Sequence, residues 1–505
     1  MRPKEATYFN KQILHTSLGK NIQAMKAIFN NSSDCIFREF TIAEKLKAAL
    51  IIIDGLINKE TLHEDVIKPL MFAYAASEIP PKRIMPYLQT KLLTASEVKE
   101  ETDISKIIEA ILAGDCALLV DNQNTAIIIS VKGFTTRSVA EPTAESVIRG
   151  PREGFTEALR TNTSLLRRKI KNPNLVFETL TVGVRTNTLV NVVYVKGLAK
   201  KELINEVKRR IQAINIDQIL DAGYIEQLIE DNPLSIFATI GFTEKPDVLA
   251  AKILEGRVGV LVDGSPNALT IPLLFSEKFQ TAEDYYARPF FMSFIRLIRY
   301  LSFLISITAP AYYIVLTSFD IELLPTPFLI SIAASTEGTP FPAIVEIMIM
   351  GFFLEVLREA GVRMPRPIGQ AVSIVGALVI GEAAVSAGLV AAPLVIVVAV
   401  TAITSFIVPA LYEEGALLRI FLILISAFFG LIGLGVGFLL LLVHLASLRS
   451  FGVSFMSPIM PLEGEEMKDT FIRAPLWLFF RRPKALNNSI RLGKGQMPKG
   501  ERDKS

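Results

Sequence analysis

Four carboxylates stand where a carboxylate is costly. Glu382 lies well inside the apolar run Ile368–Leu389, Glu346 and Glu355 lie in Phe341–Leu357, and Glu337 sits in Ser335-Thr-Glu-Gly-Thr-Pro-Phe-Pro342. An ionisable group at bilayer depth marks an ion path, or it pairs with a neighbouring helix. Glu382 admits both readings, an aqueous path or a hydrogen bond to Thr401 or Ser405. Glu346 and Glu355 fall about two and a half helical turns apart, on roughly opposite faces, so both cannot line one pore. Glu355 can instead pair with Arg358 near the headgroups. With the hydroxyls that flank Glu337, the candidate ion-pathway or gating set is Glu337, Glu346, Glu382, Thr336 and Thr339.

Other chemistries find little support. Three scattered histidines, His15, His63 and His444, make a metal site or a catalytic triad unexpected. No GxxxxGK[ST] or GxGxxG is present to cradle phosphate, so no cofactor is expected. No nucleophile–base pair is visible, so the chain does not read as an enzyme. Cys35 and Cys116 lie in apolar runs without a CxxC and read as buried free thiols. Net charge of +3 gives no global field for nucleic acid. One loop, with Glu141, Arg149 and Arg152 around a Gly-Pro pair, has two readings: a grip on an anion or a partner's carboxylate, or a polar connector packed on its neighbours.

These residues are positioned by two different halves. Charge is dense up to Arg299 and sparse from there to Arg449, which separates a polar region from a membrane region. A span needs about 20 mostly apolar residues. Five stretches qualify: Phe294–Phe319, Phe341–Leu357, Ile368–Leu389, Ala391–Tyr412 and the longest, Leu417–Leu445, which can cross with tilt. Leu323–Ser335, broken by Pro325 and Pro327, reads as re-entrant and must face protein or water. Arg296 and Arg299 can snorkel to headgroups. Gly376 and Gly381 in the third span, and Gly433 and Gly437 in a GxxxG of the last, predict close helix packing. The N-terminus carries no apolar stretch, which places the polar region in the cytoplasm. Five spans then put the tail outside, whereas its Arg473, Arg481, Arg482 and Lys484 prefer the inside, and the two arguments conflict.

The polar half repeats itself. Ile111-Leu-Ala-Gly114 leads into Cys116-Ala-Leu-Leu-Val-Asp121, and Ile253-Leu-Glu-Gly256 leads into Val258-Gly-Val-Leu-Val-Asp263. Ala49 to Gly55 matches Asn191 to Gly197 at the same offset. The pattern predicts two related α/β units, each with two hairpins and intervening helices, followed by a polytopic α-helical membrane domain. The expected divisions are an arm over 1–33, units over 34–135 and 176–285 with a helical connector over 136–175, a membrane domain over 290–446 and a polar tail over 447–505.

On Glu141-Pro-Thr-Ala-Glu-Ser-Val-Ile-Arg-Gly-Pro-Arg152, Leu261-Val-Asp-Gly-Ser-Pro266, Glu283-Asp-Tyr-Tyr286, Leu323-Leu-Pro-Thr326, Leu357-Arg-Glu-Ala-Gly361 and Pro367-Ile-Gly-Gln370, the chain resembles the A subunit of GerA-family spore germinant receptors. The resemblance implies a multi-pass protein of the spore inner membrane that works with a permease-like B subunit and a lipoprotein C subunit. It also implies self-association, as pentamers, into a nutrient-gated ion channel. Two other readings stand beside it: a sporulation-stage paralogue that amplifies germination, and a secondary transporter, although the spans show no inverted repeat.

Overall fold

Cys116–Val120 and Val258–Val262 are buried at every residue, because helices cover both faces of the sheets they belong to. The computed structural model describes residues 13–42, 46–72, 81–95, 97–133, 142, 145, 147–364, 379–464, 466–479, 481–487, 489 and 491. The first sheet joins β1 (Cys35–Ile42), β2 (Leu46–Ile53), β3 (Val98–Glu101), β4 (Cys116–Val120) and β5 (Ala126–Ile129) in the order β1-β2-β4-β5-β3. The second joins β6 (Leu175–Val182), β7 (Thr188–Val195), β8 (Gly241–Thr243), β9 (Val258–Val262) and β10 (Ala268–Ile271) in the order β6-β7-β9-β10-β8. The two orders are the same, and every pairing is antiparallel. Each β4-type strand is fed by a helix that ends on a glycine with positive φ, Gly114 at +96° and Gly256 at +106°, a conformation L-residues resist.

The repeat is longer than the strands alone predict. Helix Leu18–Ile28 starts in the segment assigned to the arm, and helix Leu159–Lys169 in the connector. Each nonetheless opens its unit in the same way. The Leu18 amide donates to Asp121 Oδ1 at 3.0 Å, and the Leu159 amide donates to Asp263 Oδ1 at 3.1 Å. Asn21 and Asn162, in turn, each clamp the backbone of the residue six positions earlier, His15 and Thr156. One aspartate per unit thus satisfies an orphan helix N–H from across the sheet.

A buried arginine locks the units together. Arg167 donates Nε and Nη2 to Asp34 at 2.9 and 2.8 Å and Nη1 to the Asn172 carbonyl, with both side chains closed to solvent. This bidentate geometry is the kind a desolvated pair requires.

The C-terminal half is helical, with Pro289–Phe319 and Pro409–Ser447 each long and apolar enough to cross a membrane. The second is not one rod. Gly430 has φ 57° and ψ −140°, a region only glycine enters readily. A Cβ on Gly437 would lie 2.9 Å from Leu422 Cδ2, although in an unbroken helix the two residues stand about 22 Å apart. The chain therefore doubles back, with arms 412–429 and 431–447 side by side. This replaces the single tilted span expected over Leu417–Leu445. Both arms start and end near the sheet units: Lys278 pairs with Glu414, and His444 Nε2 lies 3.1 Å from Ser235 Oγ. The tail then runs along the second unit, where the Phe275 amide donates to the Phe455 carbonyl at 2.8 Å and Arg482 Nε to the Leu254 carbonyl at 2.8 Å.

Candidate functional site

The strongest concentration of buried charge is where the second sheet unit meets the first long helix. Asp284, from the short helix Glu283–Tyr286, is fully buried, and it accepts Arg296 Nη2 at 2.9 Å and Arg299 Nη1 at 2.8 Å. Arg296 Nη1 also donates to Asp469 Oδ1 at 2.9 Å, and Tyr285 donates its hydroxyl to Asp469 Oδ2 at 2.9 Å. Two arginines a helical turn apart therefore tie the unit, the helix and the tail into one node. The expectation that they snorkel to headgroups gives way to this pairing, since Arg296 is 0% exposed. Burial, with Asp469 beside it, drives the Tyr285 hydroxyl well above its usual range and keeps it a donor.

A second node lies on the turn Phe275–Phe279, just ahead of that helix in sequence. Glu277 is held by Arg257 and Lys252, and its neighbour in sequence, Lys278, pairs with Glu414 at the foot of the doubled-back arms. Burial alone would raise the Glu277 carboxyl, but the two cations win and hold it below the carboxylate range. Successive residues of Phe275–Phe279 thus face the sheet unit and the helices, and a shift of one is felt by the other.

The connector packs against the same region. A Cβ on Gly150 would meet Tyr286 Cδ2 at 2.7 Å, and the Tyr286 hydroxyl donates to Asp247 at 2.5 Å. Arg149 and Arg152 are exposed on this loop, and Glu141 lies outside the described residues. Glu145 of the same loop accepts Thr243 Oγ1 at 2.6 Å, and burial raises its pKa.

Within the helices, the predicted polar positions divide. Glu346 is 2% exposed and accepts the Ala391 amide at 3.1 Å, just ahead of helix Ala392–Phe406. Glu355 accepts the Tyr412 hydroxyl at 2.6 Å, with Arg358 at 3.7 Å, as expected, and Arg419 at 3.8 Å. Thr336 and Thr339 are half-buried, and their hydroxyls donate to backbone carbonyls of their own segment. Glu337 and Glu382 are exposed and make no hydrogen bond or ion pair among the described residues. The Thr401 and Ser405 hydroxyls donate to carbonyls of their own helix rather than to Glu382. The segments bearing Glu337 and Glu382 adjoin, since a Cβ on Gly388 would lie 3.7 Å from the Gly338 carbonyl.

Three of the four small residues have neighbours among the described residues. Gly381 faces Val395 across a helix contact, whereas Gly433 and Gly437 face Ile425 and Leu422 of the opposite arm. Gly376 lies outside the described residues. Sequence reading missed the partners of Arg296 and the turn at Gly430. Glu283-Asp-Tyr-Tyr286 was a visible motif, but nothing in the spacing pairs Asp284 with a tail residue such as Asp469.

Residues 23–485 match the family described as Bacillus/Clostridium GerA spore germination protein. Spore germination protein KA of Bacillus subtilis (strain 168) is 44% identical, covering 96% of this chain and 90% of the relative. The uncharacterized membrane protein YfkQ of the same organism is 39% identical, covering 96% of this chain and 94% of the relative. A solved structure, the N-terminal domain of the A subunit of the Bacillus megaterium spore germinant receptor GerK3, is 31% identical with a TM-score of 0.43, covering 53% of this chain and 98% of that one. On the match across nearly its whole length, this chain belongs to the GerA family of spore germination proteins.

Proposed function

We propose that this chain is the A subunit of a nutrient germinant receptor, that it spans the spore inner membrane several times with the sheet units on the cytoplasmic side, and that copies assemble into a nutrient-gated ion channel. The permease-like B subunit and the lipoprotein C subunit are its partners, and a pentameric ring is the assembly. One observation carries the reading. Glu337 and Glu382 sit on adjoining segments of the helical half, exposed and without a partner among the described residues of a single chain. In a bilayer such carboxylates need water or protein around them. A ring of copies around an aqueous path supplies both, with Glu337, Glu382, Thr336 and Thr339 along it and Glu346 fixing the helix beside it.

The arms that double back at Gly430 support the orientation. Each has about 18 residues and rises about 27 Å, close to the thickness of the hydrocarbon core. Counting both makes the number of crossings even, so tail and sheet units share one side.

The test is cross-linking in native membranes of the chain carrying Glu382→Cys, after bifunctional thiol reagent. Each copy offers one accessible thiol, so the reading expects cross-linked dimers, and mass photometry of the extracted complex should give five copies. Monomers alone, from a chain that still co-purifies with its partners, would refute assembly around Glu382. A second reading, a family member of sporulation membranes without a nutrient role, draws on the relative that is named only as a membrane protein. It expects no co-purifying permease-like or lipoprotein subunit.

A further inference from the structure

We propose that loop 231–237 and the outer face of helix Ala222–Ile229 dip into the headgroup boundary of the bilayer, so that the second sheet unit rests on phospholipid. The inference builds on the membrane reading above. Leu234 is 99% exposed at the tip of this loop, and Tyr224 and Leu228 are exposed one helical turn apart on the adjacent helix. Single exposed apolar residues are ordinary, but a cluster with a fixed address is not. The address comes from Ser235, whose hydroxyl lies 3.1 Å from His444 in the last turn of arm 431–447. Leu234 is one residue away, about 3.8 Å along the chain, and so sits at the level where that arm leaves the hydrocarbon. On the same arm, Val443 beside His444 and Leu440 one turn further in are exposed apolar residues.

The loop is held rather than floppy at its base. Arg210 Nη2 donates to Asp231 at 2.6 Å, the Phe451 amide donates to the same carboxylate, and Phe237 packs edge-on against Phe275. A rigid base keeps Leu234 at one depth. Arg449 is exposed just beyond the arm, and Phe290 and Phe291 are exposed at the start of helix Pro289–Ile314. A cation near phosphate and aromatics at the interface are what a bilayer boundary selects.

The experiment places a spin label on Leu234→Cys in the full chain, reconstituted in phosphatidylcholine–phosphatidylglycerol vesicles. Cys35 and Cys116 are buried, with burial raising both thiol pKa values, so the label reports one site. Collision with oxygen, which concentrates in lipid, is compared with collision with a water-confined nickel chelate. Leu440→Cys serves as the lipid control and exposed Glu39→Cys of the first unit as the water control. The oxygen-to-nickel ratio at Leu234→Cys is expected several-fold above that at Glu39→Cys and close to that at Leu440→Cys. A ratio equal to the water control, with Leu440→Cys still oxygen-rich, overturns the docking and leaves the membrane reading intact. A label shielded from both reagents also overturns it, by placing a second copy there. A water-like Leu440→Cys instead refutes the membrane reading itself.

Discussion

Replacing Gly430 with alanine gives opposite results for a turned and a straight helix. In the turned form, residue 430 holds φ 57° and ψ −140°, and an added Cβ meets Phe319 Cγ at 3.0 Å with two more ring-side atoms at 3.1 and 3.2 Å. Holding an L-residue in that region costs on the order of 1–3 kcal/mol. Pushing Phe319 aside adds roughly 1 kcal/mol, at the low end of overpacking costs, because the ring is half exposed. The sum, about 3 kcal/mol, lowers the folded-to-unfolded ratio by roughly two orders of magnitude. Gly435 supplies the control: it lies in the second arm with nothing within 4 Å of its would-be Cβ. Gly435→Ala should stabilise by up to about 1 kcal/mol, the usual gain over glycine in a helix. Thermal unfolding in detergent, read by far-ultraviolet dichroism, measures both variants. Stabilisation of Gly430→Ala equal to that of Gly435→Ala would instead show an uninterrupted helix.

Further outcomes follow from the buried charges. Asp284→Asn leaves Arg296 buried with only Asp469 to answer it and should cost about 3–5 kcal/mol; limited proteolysis should then release the tail while the sheet units stay intact. Asp121→Ala and Asp263→Ala each remove the same helix-capping acceptor and should each cost about 1 kcal/mol in denaturant unfolding. Burial, reinforced by Glu230, raises Glu226 to about 7. The unfolded chain loses that proton near 4.5 and the folded chain keeps it, so stability should fall as pH rises from about 4.5 to about 7, by at most ~3 kcal/mol. Glu226→Gln should flatten that slope in thermal melts taken across the window.

Much of the architecture was legible because it is written in short-range pattern. The matching runs that end at Asp121 and Asp263 revealed the repeat, and their aspartates prove to cap the first helix of each unit. That first helix was placed outside its unit, in the arm for Leu18–Ile28 and in the connector for Leu159–Lys169, because what ties it to the sheet is long-range: the Asp121 and Asp263 acceptors lie more than 100 residues away. The fold-back at Gly430 was hidden by composition: both arms are apolar, and one glycine among Gly430, Gly433, Gly435 and Gly437 does not announce its dihedral angles. The exposed carboxylates Glu337 and Glu382 stood out from sequence because burying charge in lipid is so costly. What could not be read was long-range pairing, such as Arg296 with Asp469, since nothing local in either residue names its partner.

If this chain conducts ions with its partners as proposed, potassium efflux from proteoliposomes holding it with the permease-like and lipoprotein subunits will show it. Efflux should rise when nutrient is added, should need this chain, and should drop at least several-fold with Glu382→Gln while the complex stays assembled. Nutrient-dependent efflux of the same size without the chain, or none from a complex shown to bind nutrient, would rule out a channel built from this chain.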